Sequence, residues 1–208
     1  PGYGDNSRVL KWIIERLDHA GLRAVPIIAL ICFLIGAVVM QQGVVQLKPF
    51  GAEPFAVNMV AILALREVGI LLTAIMVAGR SGSAFTAEIG SMKMREEIDA
   101  LRTMGLDPVS ILLLPRVVAL VIALPLLTFL GSMAALYGGG LVAWLYGGMN
   151  PEVFIARLNE ATSVTHFKVG MIKAPFMALA IGVVACSEGL KVKGSAESLG
   201  LQTTSSVV

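Results

Sequence analysis

The chain has 208 residues, of which 56% are hydrophobic and 14% charged, and its mean hydropathy is +0.82. This composition excludes an ordinary soluble domain, and the net charge of +2 is too small to indicate a nucleic-acid partner. Apolar stretches of the ~20 residues that a helix needs to cross a bilayer recur along the chain, without the alternating pattern of barrel strands. We therefore predict an all-α polytopic integral membrane protein, built as a single domain over 1–208.

The first predicted element is an amphipathic helix over 6–19, NSRVLKWIIERLDH. Its apolar residues include Trp12, and basic residues such as Lys11 and Arg16 lie among them. A helix of this kind lies in the membrane interface, with its tryptophan at the depth of the headgroups. A soluble surface helix is the alternative, which the apolar span directly after it disfavours.

Four membrane spans are predicted next, over 24–47, 55–79, 111–148 and 165–187. The third is longer than one straight crossing needs, and Pro125 and the glycine run at 138–140 favour a kink, a tilt or an extension beyond the bilayer. A tight pair of helices is the alternative, but these glycines lie too near the end of the stretch to leave two full crossings. The polar segment NPEVFIARLNEATS before the fourth span is expected to form a short surface helix.

Lysine and arginine are concentrated in three segments: the N-terminal helix, the loop between the second and third spans, and the tail after the fourth span. Four crossings place all three segments on the same side of the membrane. The excess of positive charge assigns that side to the cytoplasm. We therefore predict a multi-pass protein with a cytoplasmic N-terminus and a cytoplasmic loop between the second and third spans.

That loop contains the charged stretch GSMKMREEIDALRTMGLDP. Met94, Ile98 and Leu101 recur in it at helical spacing. Gly105 is suited to end a helix and Pro108 prevents its continuation, so we predict a cytoplasmic helix over 86–105. Two interpretations of this helix are open, a solvated connector or a rigid lever that carries force from a soluble motor into the membrane. The candidate contact residues of the lever are Glu96, Glu97, Asp99 and Arg102.

Arg66, Glu67 and Lys173 are ionisable residues within predicted spans, where such residues usually mark a pathway for a substrate or an ion. Counted from the outer side, Arg66 is about 11 residues into its span and Lys173 about 8, so their depths differ by only ~5 Å. We expect Glu67 to pair with Lys173 and Arg66 to point toward a headgroup or another acidic group. The three residues either line a cavity or brace the helices.

The chain resembles the MlaE permease family, the membrane subunits of ABC transporters that move lipids with MCE proteins. The resemblance covers nearly all 208 residues and is carried by AEIGSMKMREEIDALRTMGLDP, preceded by LREVGILLTAIMVAGRSGSA and followed by LLLPRVVALVIALPLL. The elements E-[IL]-G-[ST]-M and E-x-I-D-A-L-x-x-M-G-x-D-P coincide with the family pattern in order and spacing.

The resemblance implies a transport subunit of the bacterial inner membrane rather than an enzyme, with phospholipid or a related lipid as cargo. It implies that the helix over 86–105 docks on a separate ABC ATPase, which binds ATP and Mg, and that this chain binds no cofactor or metal. The implied partners are an MCE-domain lipid-binding protein, in some cases a STAS-domain protein, and a second copy of the permease. It also implies a fifth span beyond residue 208. In agreement, the sequence lacks the G-x-x-x-x-G-K-[ST] loop that binds nucleotide phosphates.

Two other function classes are open to sequence reasoning. An ion- or proton-coupled secondary transporter of an apolar substrate would also place Arg66, Glu67 and Lys173 at membrane depth, but it would need no ATPase. An intramembrane serine protease would pair Ser81 of GRSG with His166, which the predicted topology places at opposite ends of the bilayer. For the homodimer, close packing within or between subunits is expected at the small residues Gly131, Ala134, Ala135, Gly138 and Gly139.

Overall fold

The computed structural model describes Lys11 and residues 23–208, so the helix predicted over 6–19 falls outside the described residues except for Lys11. Within this described part, all regular structure is helical. A short 3-10 turn, Lys48–Phe50, joins the first two long helices. The helices are α1 Val25–Leu47, α2 Pro54–Met94, α3 Glu97–Thr103, α4 Val109–Leu145, α5 Pro151–Ala161, α6 Val164–Leu190 and α7 Ala196–Ser205.

Four of these helices, α1, α2, α4 and α6, are long and apolar enough to cross a membrane. The prediction of an all-α polytopic membrane protein is thereby confirmed. The surface helix expected before the fourth span is also present, as α5. With 41 residues, α2 is about 60 Å long, twice the thickness of the hydrocarbon core. One end of α2 must therefore extend beyond the bilayer.

The long helices contain three π turns, each of five residues. Two lie in α2, at Ala64–Val68 and Ala78–Gly82, and the third, Val109–Leu113, begins α4. The helix then continues without a break through Pro125 and the glycine run to Leu145. The third predicted span is therefore one helix and not a helical pair. Single π turns inside α-helices are rare, and those that occur are often found at functional sites. The first of these three contains Arg66 and Glu67.

The described residues form two compact units, to which α2, α4 and α6 each contribute a part. Unit 1 comprises Arg23, Ile75–Leu124 and Pro175–Val208. Its core joins the end of α2, α3, the start of α4 and the end of α6 through Ile89, Ile98, Leu112 and Cys186. Unit 2 comprises Ala24–Ala74 and Pro125–Ala174. Its core includes Met40, Val44, Ala56, Val57, Val60, Ala143 and Phe154.

In unit 2, α1 and α4 touch backbone to backbone. A Cβ atom added at Gly36 would lie 2.0 Å from the carbonyl oxygen of Ala135, and one at Gly138 would lie 2.1 Å from that of Phe33. Gly139 faces Val60 in the same unit, with 3.0 Å between an added Cβ and the Val60 side chain. Small residues that let helices approach closely are the usual basis of helix association in membranes. These glycines therefore serve packing within one chain.

We expect the substitution Gly138→Ala to destabilise the protein, because the new methyl group would overlap the Phe33 carbonyl and force α1 and α4 apart. Overpacking of this kind costs ~1 to 3 kcal/mol. Gly79→Ala is the matched control, since an added Cβ there meets no atom within 4 Å. The measurement is the unfolding midpoint of each variant in the same detergent. Equal midpoints for Gly138→Ala and the control would contradict the backbone contact.

Candidate functional site

Unit 2 holds a charge cluster formed by Arg66, Glu67 and Lys173. The Lys173 Nζ atom donates a hydrogen bond to Glu67 Oε1 over 2.8 Å, and Arg66 Nε lies 3.5 Å from the same oxygen. One carboxylate therefore faces two cations, and the cluster has a formal charge of +1. Each of the three side chains is a little under half exposed, so the cluster is accessible from outside the chain.

The structure brings Glu67 and Lys173 together, as the similar depths of Arg66 and Lys173 led us to expect. Arg66 Nε also lies 3.5 Å from Glu67 Oε1, a contact that the sequence analysis did not include. The contact of Arg66 with a headgroup stays a prediction. Arg66 and Glu67 both lie in the π turn Ala64–Val68. The wider turn and the long arginine side chain allow these sequence neighbours to meet.

Two close contacts hold the π turn in place. An added Cβ at Gly170 would lie 2.3 Å from the carbonyl oxygen of Leu65, so α6 approaches the backbone of α2 directly beside the cluster. From α4, Ser132 donates its hydroxyl proton to the carbonyl oxygen of Ala64 over 3.2 Å. Ser132 is buried and was not selected from the sequence, although a serine inside an apolar span is a recognisable signal for such a bond.

The second candidate site is the coupling segment, residues 95–108 of unit 1. The helix predicted over 86–105 is divided in the structure, since α2 continues to Met94 and α3 begins only at Glu97. Glu96 lies between them with φ +59°, a left-handed conformation that is uncommon outside glycine. Its N–H donates to the carbonyl oxygen of Lys93 over 3.1 Å, which closes the last turn of α2. The sequence GSMKMREEIDAL has no glycine or proline at this break, so it gave no signal for it.

The residues after α3 end that helix and begin α4 within a few positions. Gly105 has φ +75°, and the N–H of Leu106 donates to the carbonyl oxygen of Leu101 over 3.0 Å, the pattern of a glycine-terminated helix. The Asp107 carboxylate then accepts the N–H groups of Val109 and Ser110, each over 3.2 Å. The bond from Val109 is the largest cause that holds the pKa of Asp107 below its ordinary value. Asp107 thus caps α4 as a carboxylate at neutral pH.

The coupling segment has exposed charged side chains and is attached to unit 1 by a buried apolar residue. Ile98 is 3% exposed and belongs to the core of unit 1. On the outer surface, Arg95 Nε lies 3.3 Å from Glu97 Oε1 and Arg102 lies 3.4 Å from Asp99 Oδ1. The side chains of Asp99 and Arg102 are about two-thirds exposed, and Glu96 is exposed as well. All four residues selected from the sequence therefore lie on the accessible surface of the segment.

A groove of about 590 Å³ lies next to the coupling segment. Charged side chains from α2, the coupling segment and α4 line it, and Glu88 and Arg116 form an ion pair of 2.9 Å. Arg116 is only 4% exposed. Lys93 donates to the carbonyl oxygen of Leu190, so the ends of α2 and α6 are joined. The coupling segment is therefore attached to helices that are bonded to one another. The charged residues of the lining are Glu88, Arg95, Glu97 and Arg116.

Comparison with known proteins adds to this geometry. Residues 13–208 match the family model described as Permease MlaE. The chain is 32% identical to a probable ABC transporter permease protein of Rickettsia conorii over 96% of this chain and 77% of that protein. It is 35% identical to the intermembrane phospholipid transport system permease protein MlaE of Haemophilus influenzae over 94% of this chain and 76% of that protein. It is 31% identical to the chloroplastic protein TRIGALACTOSYLDIACYLGLYCEROL 1 of Arabidopsis thaliana over 94% of this chain and 56% of that protein.

Proposed function

The chain belongs to the MlaE permease family, and from this premise we propose that it is the membrane subunit of an ABC transporter that moves phospholipid or a related lipid. Its family identifies it as a transport component rather than an enzyme. The names of the Rickettsia and Haemophilus relatives support the transporter class and the cargo. The charge cluster of unit 2 is the main structural support for the proposal, because it identifies residues that could bind the lipid.

The charge cluster has the chemistry that an anionic headgroup needs. Isolated charges near the bilayer centre cost ~2.5 to 3.5 kcal/mol each on insertion scales, so Glu67 lowers the cost of keeping two cations there. The remaining positive charge is available to a phosphate, which arginine and lysine bind through charge-assisted hydrogen bonds. Because the three side chains are partly exposed, a lipid phosphate can reach them.

The coupling segment is the proposed contact with a separate ABC ATPase, which supplies ATP and Mg. Its charged side chains are exposed while Ile98 fixes the segment to the core of unit 1. A rigid attachment of this kind allows movement of the ATPase to be passed to α2 and α4. The neighbouring groove of about 590 Å³ offers a recess for a side chain or helix end of the ATPase.

The remaining parts of the proposal concern the oligomeric state, the partners and the cellular location. We propose a homodimer in the bacterial inner membrane, with the N-terminus in the cytoplasm and an MCE-domain protein as the partner that exchanges lipid, and in some systems a STAS-domain protein. Even with the fifth span that the family resemblance implies, a set of helices this small can hardly enclose a lipid with two acyl chains, which supports a second copy. Since Gly131, Gly138 and Gly139 of α4 pack against α1 and α2, we expect the dimer contact to use other surfaces.

The test is to purify the complex from membranes, determine its intact mass and identify its lipids by mass spectrometry. We expect two permease copies, an ATPase and bound phospholipid. A single permease copy in an active complex would refute the dimer. Lipid movement that follows an ion gradient and needs no ATPase would replace this proposal by the secondary transporter.

A further inference from the structure

Four polar side chains in unit 2 each bury an atom for which the described part of the chain supplies no hydrogen-bonding partner. One is Thr128 Oγ1 on α4, and the other three atoms are Asn58 Oδ1, Thr162 Oγ1 and His166 Nδ1. Buried polar atoms in proteins are nearly always paired, so each exception needs an explanation. In a membrane protein the explanation bears on function, because polar groups within the bilayer usually face a pathway or a ligand.

The packing of α2 against α6 places Asn58 and His166 on facing sides of these helices. The helices make backbone contact at Leu65 and Gly170, and the further contact between Glu67 and Lys173 shows that they run in the same direction. His166 lies one turn before Gly170, and Asn58 lies two turns before Leu65. Each therefore projects from the side of its helix that faces the other, about 6 and 10 Å from the contact.

Thr162 belongs to the same end of this seam. It follows α5 directly and precedes the first residue of α6, Val164. Helix α5 is held against α2 because Phe154 and Val57 share one core cluster. The unpaired atoms of Asn58, Thr162 and His166 thus come from neighbouring segments on the Pro54 side of the contact between α2 and α6. The Glu67–Lys173 pair lies on the opposite side of that contact.

The spacing relates these atoms to the charge cluster. Lys173 follows His166 by seven residues on α6, which corresponds to about 10 Å along the helix. A headgroup whose phosphate binds Arg66 and Lys173 would extend along the two helices toward His166 and Asn58.

We propose that Asn58, Thr162 and His166 form a subsite that selects lipid headgroups carrying N–H or O–H donors. The amide oxygen of Asn58 only accepts hydrogen bonds, and Thr162 Oγ1 and His166 Nδ1 accept them when their protons are directed elsewhere. Ethanolamine and glycerol headgroups supply such donors, whereas the quaternary ammonium of choline has none. The inference rests on the proposed function, since it concerns the specificity of the same lipid site.

The experiment offers the purified full chain an equimolar mixture of phosphatidylethanolamine, phosphatidylglycerol and phosphatidylcholine and measures the bound lipids by native mass spectrometry. We expect the wild type to prefer the two donor-bearing lipids about fivefold to tenfold, the value of one net hydrogen bond. Asn58→Leu, Thr162→Val and His166→Phe should each reduce this preference, and together to less than about twofold. Binding of phosphatidylcholine should stay the same. Thr165→Val, at an exposed position of α6, is the control and should keep the preference.

The outcomes separate this inference from the proposed function. Phospholipid binding without a headgroup preference, or with a preference that all three variants retain, would overturn the subsite. Wild-type protein that binds no phospholipid would overturn the proposed function itself. Thr162→Val changes one hydroxyl group to a methyl group at constant size, so it tests the subsite even if the other variants fail to fold.

Discussion

Replacing Glu67 with lysine is expected to abolish lipid transport. In the structure one Glu67 carboxylate oxygen lies 2.8 Å from Lys173 and 3.5 Å from Arg66. The substitution would leave three cations together, each at a cost of ~2.5 to 3.5 kcal/mol near the bilayer centre. We expect transport to fall by at least about tenfold, measured as ATP-dependent movement of labelled phospholipid between proteoliposomes and an acceptor. Normal transport by Glu67→Lys would rule out both a cavity and a bracing role.

Charge reversal and charge removal separate the two roles. Adding Lys173→Glu to Glu67→Lys restores an opposite pair and should recover part of the transport. An apolar variant with Arg66→Met, Glu67→Leu and Lys173→Met removes all three charges and leaves none unpaired, which buried ion networks often tolerate. We expect this variant to fold but not to transport, because a headgroup then has no cation to bind. Full transport by the apolar variant would show that the cluster only braces the helices.

Reversing the charge of Glu97 and Asp99 to lysine is expected to remove the ATPase from the complex. Both side chains lie on the exposed surface of the coupling segment, and their local ion pairs span 3.3 and 3.4 Å. Exposed pairs of this kind contribute only ~0 to 1 kcal/mol to stability, so the permease should remain folded in the membrane. The measurement is the amount of ATPase that copurifies per permease, which should fall at least about tenfold if the segment is the docking site.

The matched control for the coupling segment is Glu160→Lys on α5. Glu160 is 70% exposed in its side chain and pairs with Arg157 over 3.4 Å at the same sequence spacing as Asp99 and Arg102. It belongs to unit 2 and is not part of the coupling segment. This variant should keep its ATPase. Retention of the ATPase by the Glu97 and Asp99 variant as well would identify the segment as a solvated connector.

The sequence was sufficient for those features that follow from hydropathy and local spacing. The four long helices could be predicted because apolar length alone defines a candidate span. The Glu67–Lys173 contact could be predicted because depth in a helix follows from residue counting. The contact of Arg66 with Glu67 could not, since it depends on a π turn that packing against Ser132 and Gly170 holds in place.

The break at Glu96 also depends on tertiary structure. Its left-handed backbone occurs in a sequence with good helix formers on both sides, so local propensity favours a continuous helix. Burial of both Ile89 and Ile98 in one core requires the chain to change direction between them. The same reasoning applies to Asn58, Thr162 and His166, whose unpaired atoms are evident only once their helices are packed.

The glycine contacts between α1 and α4 indicate which forces hold these two helices together. Lipid tails are as apolar as leucine side chains, so the hydrophobic effect does not drive helices together within a bilayer. At Gly36 and Gly138 the attraction comes instead from dispersion between closely packed backbones, which depends on very short distances. These forces act between atoms of the protein and do not arise from the surrounding lipid. The pair α1 and α4 therefore keeps its cohesion when the surrounding lipid changes, a condition that a protein proposed to exchange lipids with its own membrane has to meet.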